Sequence, residues 1–170
     1  MIWYAIFNLI VYAIAGIFIY RYGKKCMRGH DALTSRGEYY TAEAFRSWKV
    51  GMVFWVLGTL QLIAMIVLVQ YEMVAFFSPI VTLLEWGIAC ELWKRYKTIV
   101  IYVKEEYVFY FEKKKWRSVP LEQLGRIAPW DGNIAFTVFD DQNERVFDVY
   151  ARYENAHSFL RQLSEEILTK

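Results

Sequence analysis

The sequence predicts an α-helical membrane anchor of three transmembrane helices followed by an α+β domain, an antiparallel β meander closed by one C-terminal helix. Three observations predict it: long apolar runs fill the N-terminal half, a two-residue periodicity begins after Thr98, and helical spacing returns near the C-terminus. The 170 residues are 56% hydrophobic and 19% aromatic, more than a soluble globular chain usually carries, and the excess is gathered in blocks. Residues 1–96 are therefore expected to form the membrane region and 97–170 a cytoplasmic domain.

The first run, Ile2 to Tyr20, contains no charged residue. At about 1.5 Å of rise per residue it nearly matches a hydrocarbon core of about 30 Å. Ala13-Ile14-Ala15 resembles a signal-peptidase tripeptide, but no basic residue precedes the run and apolar sequence continues to Tyr20, so retention of the segment is expected. The second run, Val50 to Val69, and the third, Met73 to Leu92, are separated only by Gln70-Tyr71-Glu72, which predicts an antiparallel hairpin; the spans are thus about 2–20, 50–69 and 73–92. Arg21, Lys24, Lys25 and Arg28 follow the first run, Arg36, Arg46 and Lys49 precede the second, and Lys94, Arg95 and Lys97 follow the third. By the positive-inside rule the N-terminus lies outside and the loop 21–49 and everything after Leu92 lie in the cytoplasm of a multi-pass cell-membrane protein. Cys26 and Cys90 show no disulfide spacing and read as free thiols.

Within that loop, Glu38 to Trp48 carries aromatics at three- to four-residue steps, and Ser35 with Glu38 fits a capping box, so an interfacial or cytoplasmic helix running into the second span is expected. From Thr98 onward, Ile99–Val103, Tyr107–Phe111, Trp116–Val119, Leu124–Ala128, Ile134–Phe139 and Val146–Tyr150 are short β-branched and aromatic segments. Turn-forming stretches such as Glu112–Lys115, Asp131–Asn133 and Asp140–Asn143 separate them, which predicts one meander of about six strands. Ala156, Phe159, Leu160, Leu163 and Ile167 then share one helical stripe that must be buried against the sheet.

Three stretches, Ile101 to Tyr110, Val119 to Ile127 and Tyr153 to Leu160, resemble the opening hairpin, the short turn and the start of the closing helix of bacterial membrane proteins with a pleckstrin-homology-like domain. The resemblance covers roughly residues 97 to 168 and carries no catalytic signature. It implies a PH-like fold and a binding or scaffolding module without naming a ligand.

The search for chemistry is mostly negative. The chain has no Gly-rich phosphate loop, nucleophile elbow, HExxH motif or Cys/His cluster at metal spacing, so no catalytic residue, metal or cofactor is assigned. His30 and His157 stand alone in sequence and read as a loop residue and a solvated helix residue. Glu85 is the sharpest single residue, about 18 Å into the third run by helical rise, and a carboxyl at that depth is protonated, paired or facing a polar path. Gln61 lies about 12 Å in from the same side and can bond it. Asn8 adds a third intramembrane polar candidate, and Pro79 a site for a kink. Lys113, Lys114, Lys115 and Arg117 on a predicted hairpin are candidates for anionic lipid, against the simpler reading of a solvated turn. With 20 basic and 18 acidic residues, nucleic-acid binding is not expected. Three functions stay open: a membrane-anchored interaction module that docks a protein partner or stabilises a larger membrane complex, a small transport subunit using Glu85 for a cation or proton, and an anionic-lipid sensor; the expected partners are the bilayer and a protein partner or a homo-oligomer.

Overall fold

In the computed structural model the described residues are 2–67, 72–130 and 134–169, with side chains described over 10–64, 80–130 and 134–169. They form two compact units, Met1–Arg28 with Arg46–Arg95, and Gly29–Phe45 with Tyr96–Lys170. The expected turns at Gln70-Tyr71 and Asp131–Asn133 lie outside the described residues.

Helices α1 (Ile2–Thr34), α2 (Phe45–Val67) and α3 (Glu72–Thr98) supply the first unit. The expectation of three transmembrane helices is overturned. Among the described residues one helix, over Phe45–Ala64, is long and apolar enough to cross a membrane, with mean hydropathy 1.3 and 17% of that stretch buried. The other helices are built differently. Helix α1 does not end at Tyr20 but continues through Arg21, Lys24, Lys25 and Arg28, and α3 carries Glu85 and Glu91 before its basic end. Helix α3 is continuous through Pro79, whose side chain lies outside the described ones.

Packing in this unit is a repeated tryptophan-on-glycine contact. Trp86 and Trp93 of α3 are 2% and 0% exposed, and each ring lies against one glycine of α1 and one of α2. For Trp86 these are Gly16 and Gly58; for Trp93 they are Gly23 and Gly51, where an added methyl carbon would come within 2.6 Å and 2.5 Å of the indole. Each pair is spaced a heptad apart on its helix, so the same contact recurs two turns later. The indole N–H groups donate to α2 carbonyls, Trp86 to Trp55 at 3.3 Å and Trp93 to Trp48 at 3.2 Å, while Trp55 donates to the Gly16 carbonyl at 3.1 Å. Apolar side chains point outward instead, among them Phe18, Val53, Leu60, Leu83 and Leu84.

The second unit contains β1 (Tyr39–Ala42), β2 (Val100–Lys104), β3 (Tyr107–Glu112), β4 (Lys115–Pro120), β5 (Leu124–Trp130), β6 (Ala135–Asp140), β7 (Arg145–Tyr150) and α4 (Ala156–Leu168). The single PH-like meander is also overturned, because the strands divide into two antiparallel sheets, β1-β2-β3-β4 and β5-β6-β7. The division falls after β4, where a 3-10 turn over Leu121–Gln123 precedes a register shift between Leu124 and Arg126. Gly125 sits in that bulge, where a methyl carbon would come 2.7 Å from the Asp140 carbonyl oxygen. The expected segments after Thr98 do fall on strands β2 to β7, with ends shifted by a residue or two.

The helix expected over Glu38–Trp48 is a further correction. Tyr39–Ala42 is a strand that pairs with β2 from Tyr39↔Val103 to Ala42↔Val100, and helix begins only at Phe45. Tyr and Thr favour a pleated, half-buried surface, and here they cover an edge of β2 that would otherwise be open. Thr41 and Ala42 are fully buried, and main-chain bonds between Ala42 and Glu154 tie β1 to the segment before α4. The α4 stripe buries Ala156, Phe159, Leu160 and Leu163 in a core shared with Ile101, Val103, Val108, Val138 and Val149. Tyr39 joins this core through Phe159, with ring centroids 5.4 Å apart, and donates its hydroxyl to Glu166 Oε2 at 2.6 Å.

His30, read from the sequence as a loop residue, lies near the end of α1, 4% exposed and stacked on Tyr96 with centroids 3.9 Å apart. Neither ring nitrogen has a hydrogen-bond partner among the described residues. Burial lowers its pKa from 6.5, opposed by the carboxylates of Asp31 and Glu154. The ring therefore charges more easily in the unfolded chain, so its contribution to stability is complete above the unfolded pKa and is lost as pH falls through the folded one. Denaturant unfolding of the full chain in detergent should show stability falling from about pH 7.5 to about pH 5. His30→Gln should flatten that dependence; an unchanged slope would assign it to other groups.

Candidate functional site

The first unit brings two sequence candidates together. Gln61 Nε2 donates to Glu85 Oε1 at 3.1 Å, joining α2 to α3. The other carboxyl oxygen of Glu85 is buried, and Gly58 leaves the space beside it, since a methyl carbon there would lie 3.4 Å away. Thr82, one turn earlier on α3, donates to the Gly58 carbonyl at 3.5 Å. Asn8 falls on α1, but its side chain lies outside the described ones.

In the second unit the lysine cluster forms the tip of the β3–β4 hairpin. Lys113 and Lys114 adopt φ of 48° and 67°, the left-handed pair of a tight two-residue turn, closed by the Glu112↔Lys115 pairing. Arg117 does not join them at the tip; it pairs across the ladder with Glu112 at 3.0 Å. Lys115 through Ser118 are exposed, and Trp116, 42% exposed, packs its ring against Phe111 and Tyr102. The cluster is thus a charged tip beside an aromatic face. His157 is exposed at the start of α4, and Cys26 and Cys90 form no disulfide. Among the described residues no group of three or more His, Cys, Asp or Glu is placed to hold a metal ion.

The feature that sequence reasoning missed is a cleft of about 410 Å³ in the second unit, lined from Thr98–Ile101, Tyr110–Glu112, Arg145–Asp148, Tyr150 and Tyr153. Its origin is a gap in the first sheet. Strands β2 and β3 pair only from Lys104↔Tyr107 to Tyr102↔Phe109, next to their turn. Beyond that, β2 stays with β1 as far as Val100 and β3 stays with β4 as far as Glu112, so the two strands diverge. Strand β7, the edge of the second sheet, lines the opposite wall.

Aromatic pairs fix the walls, Tyr110 with Phe147 at 5.2 Å and Tyr150 with Tyr153 at 5.3 Å. Asp148 is held by Thr137, which donates to it at 2.9 Å, and by an ion pair with Arg145. Burial, with the Glu112 carboxylate second, raises the Tyr110 pKa and keeps this phenol a neutral hydrogen-bonding group. A volume of this size with a few fixed polar groups is that of a ligand-binding cleft. Its lining comes from separate strands, so no local motif announces it. No family model, curated protein or solved structure matches the chain.

Proposed function

We propose that this chain is a membrane-tethered docking module, in which α2 holds the protein at a bilayer and the β-sheet unit offers its cleft to a partner protein. The cleft carries the reading: a preformed recess bounded by an edge strand sits on the same chain as a helix apolar enough to span. Outward-facing Val53, Leu60 and Ile63 on α2 support the tether. Arg46 and Lys49 at the start of α2 suit contact with anionic headgroups at a bilayer surface. The Gln61–Glu85 bond serves this reading as helix-to-helix attachment.

A second reading, contact with anionic lipid, is favoured by the three lysines at the β3–β4 tip beside exposed Trp116. One experiment separates the two. A photo-crosslinking residue is placed at Val146 in the cleft or at Lys114 on the hairpin of the full chain in its native membrane. The docking reading expects a discrete foreign polypeptide captured from Val146. Lipid adducts from Lys114 with no polypeptide from Val146 would replace it with the lipid reading.

A further inference from the structure

We infer that a monovalent cation of about the size of sodium binds between α2 and α3, held by Glu85 Oε2, the Thr82 hydroxyl and the Gly58 carbonyl. This site belongs to the helical unit and is independent of the docking reading. Its basis is a carboxylate whose charge no side chain balances. Glu85 Oε1 accepts from Gln61 Nε2 at 3.1 Å, but Oε2 is buried and has no hydrogen-bond partner among the described residues. Gln61 is uncharged, and no Lys, Arg or His forms an ion pair with Glu85 among the described residues. Taking a carboxylate out of water without such a partner is costly, so a proton or a bound cation has to supply the missing charge.

The surroundings of Oε2 favour the cation. A proton on Oε2 needs an acceptor within hydrogen-bond reach, and the described residues place none there. A cation instead draws together oxygens too far apart to bond one another. Oε2 lies 3.4 Å from where a methyl carbon on Gly58 would sit, and Thr82, one turn before Glu85 on α3, meets the Gly58 carbonyl. Thr82 is 0% exposed, yet its hydroxyl approaches that carbonyl only to 3.5 Å, long for an O–H···O bond. The same separation suits two ligands of one ion, because at an octahedral ion–oxygen distance of about 2.5 Å adjacent ligands stand about 3.5 Å apart. The hydroxyl and the carbonyl each keep a lone pair for the ion. One carboxylate matches one positive charge, whereas a divalent ion would leave a buried excess. Oxygen donors alone suit a hard cation, and among the described residues no cluster of His, Cys, Asp or Glu offers a transition-metal alternative. The Trp86 indole closes one side against Gly58, and the partial exposure of Gln61 and Glu85 leaves a way in.

The test unfolds the full chain in detergent with urea, at one ionic strength, in sodium, potassium or choline chloride. Sodium should raise the unfolding midpoint saturably, potassium much less and choline not at all. Glu85→Gln, which keeps the shape and removes the charge, should abolish the sodium dependence. Thr82→Val, which deletes one ligand oxygen at similar volume, should raise the sodium concentration for half the effect about tenfold. The sodium NMR resonance of the salt should broaden with the unmutated chain present, a readout that needs no variant to fold. A midpoint in sodium no higher than in potassium, a sodium effect that survives in Glu85→Gln, or an unbroadened resonance overturns the site. A midpoint indifferent to sodium that falls as pH rises, and no longer does so in Glu85→Gln, overturns it in favour of a proton on Glu85.

Discussion

Trp93→Ala is expected to destabilise the helical unit by about 3 kcal/mol, the lower end of the range for deleting a buried aromatic. Trp93 is fully buried, and its ring occupies the space left by Gly23 and Gly51, positions with no side chain to move into the void. The variant also removes the donor to the Trp48 carbonyl. What the truncation removes is the dispersion contact of the ring and its hydrogen bond. Gly51→Leu makes the opposite error at the same contact, since even its first carbon would lie 2.5 Å from the indole nitrogen. Denaturant titration in detergent, followed by helical circular dichroism, measures both. Trp116→Ala, which truncates an exposed tryptophan, is the control and should change little. If Trp93→Ala behaves like that control, the tryptophan-on-glycine contact is not what holds the unit.

The same residues show how far the sequence could be read. Gly16 and Gly23, Gly51 and Gly58, and Trp86 and Trp93 are visible as heptad pairs. Which helix meets which is a tertiary fact that spacing alone does not contain. Gln61 and Glu85 could be matched because both depths count from one connection and differ by only about one helical turn, which their side chains span in the observed hydrogen bond. Strands β2 to β7 were visible in two-residue alternation, but their division into two sheets falls at the 3-10 turn after β4, and alternation does not mark which strands pair across it. Strand β1 was misread because aromatics at Tyr39, Tyr40, Phe45 and Trp48 fit a helical period as well as a strand entering a helix. The deciding partner, β2, lies far along the chain. The three-helix membrane reading counted apolar length and gave too little weight to the charged continuation of α1 and the acidic residues of α3. The cleft was beyond reach for a related reason, since it exists only where two strands that pair near their turn part company.

The second large effect concerns how Gly29–Phe45 is held to a domain whose other strands begin only at Val100. Phe159→Ala is expected to cost about 3 to 5 kcal/mol, a large share of the 5 to 15 kcal/mol typical of a domain. Phe159 is 1% exposed at the centre of the core, and one of its neighbours is Tyr39, the first residue of β1. Truncation therefore opens the α4 stripe and removes the ring against which β1 is seated. Hydrogen exchange of the full chain in detergent should show the amides of β1 losing protection together with those of β2 and β3, as one cooperative unit. Tyr39→Phe separates packing from hydrogen bonding, because it keeps the ring and deletes only the 2.6 Å bond to Glu166, with an expected cost of about 0.5 to 1.5 kcal/mol. If β1 keeps its protection in Phe159→Ala while α4 loses its own, the strand is held by its ladder to β2 and the Ala42–Glu154 bonds alone. The insertion of residues 29–45 would then be an edge cover on the sheet and not part of its core.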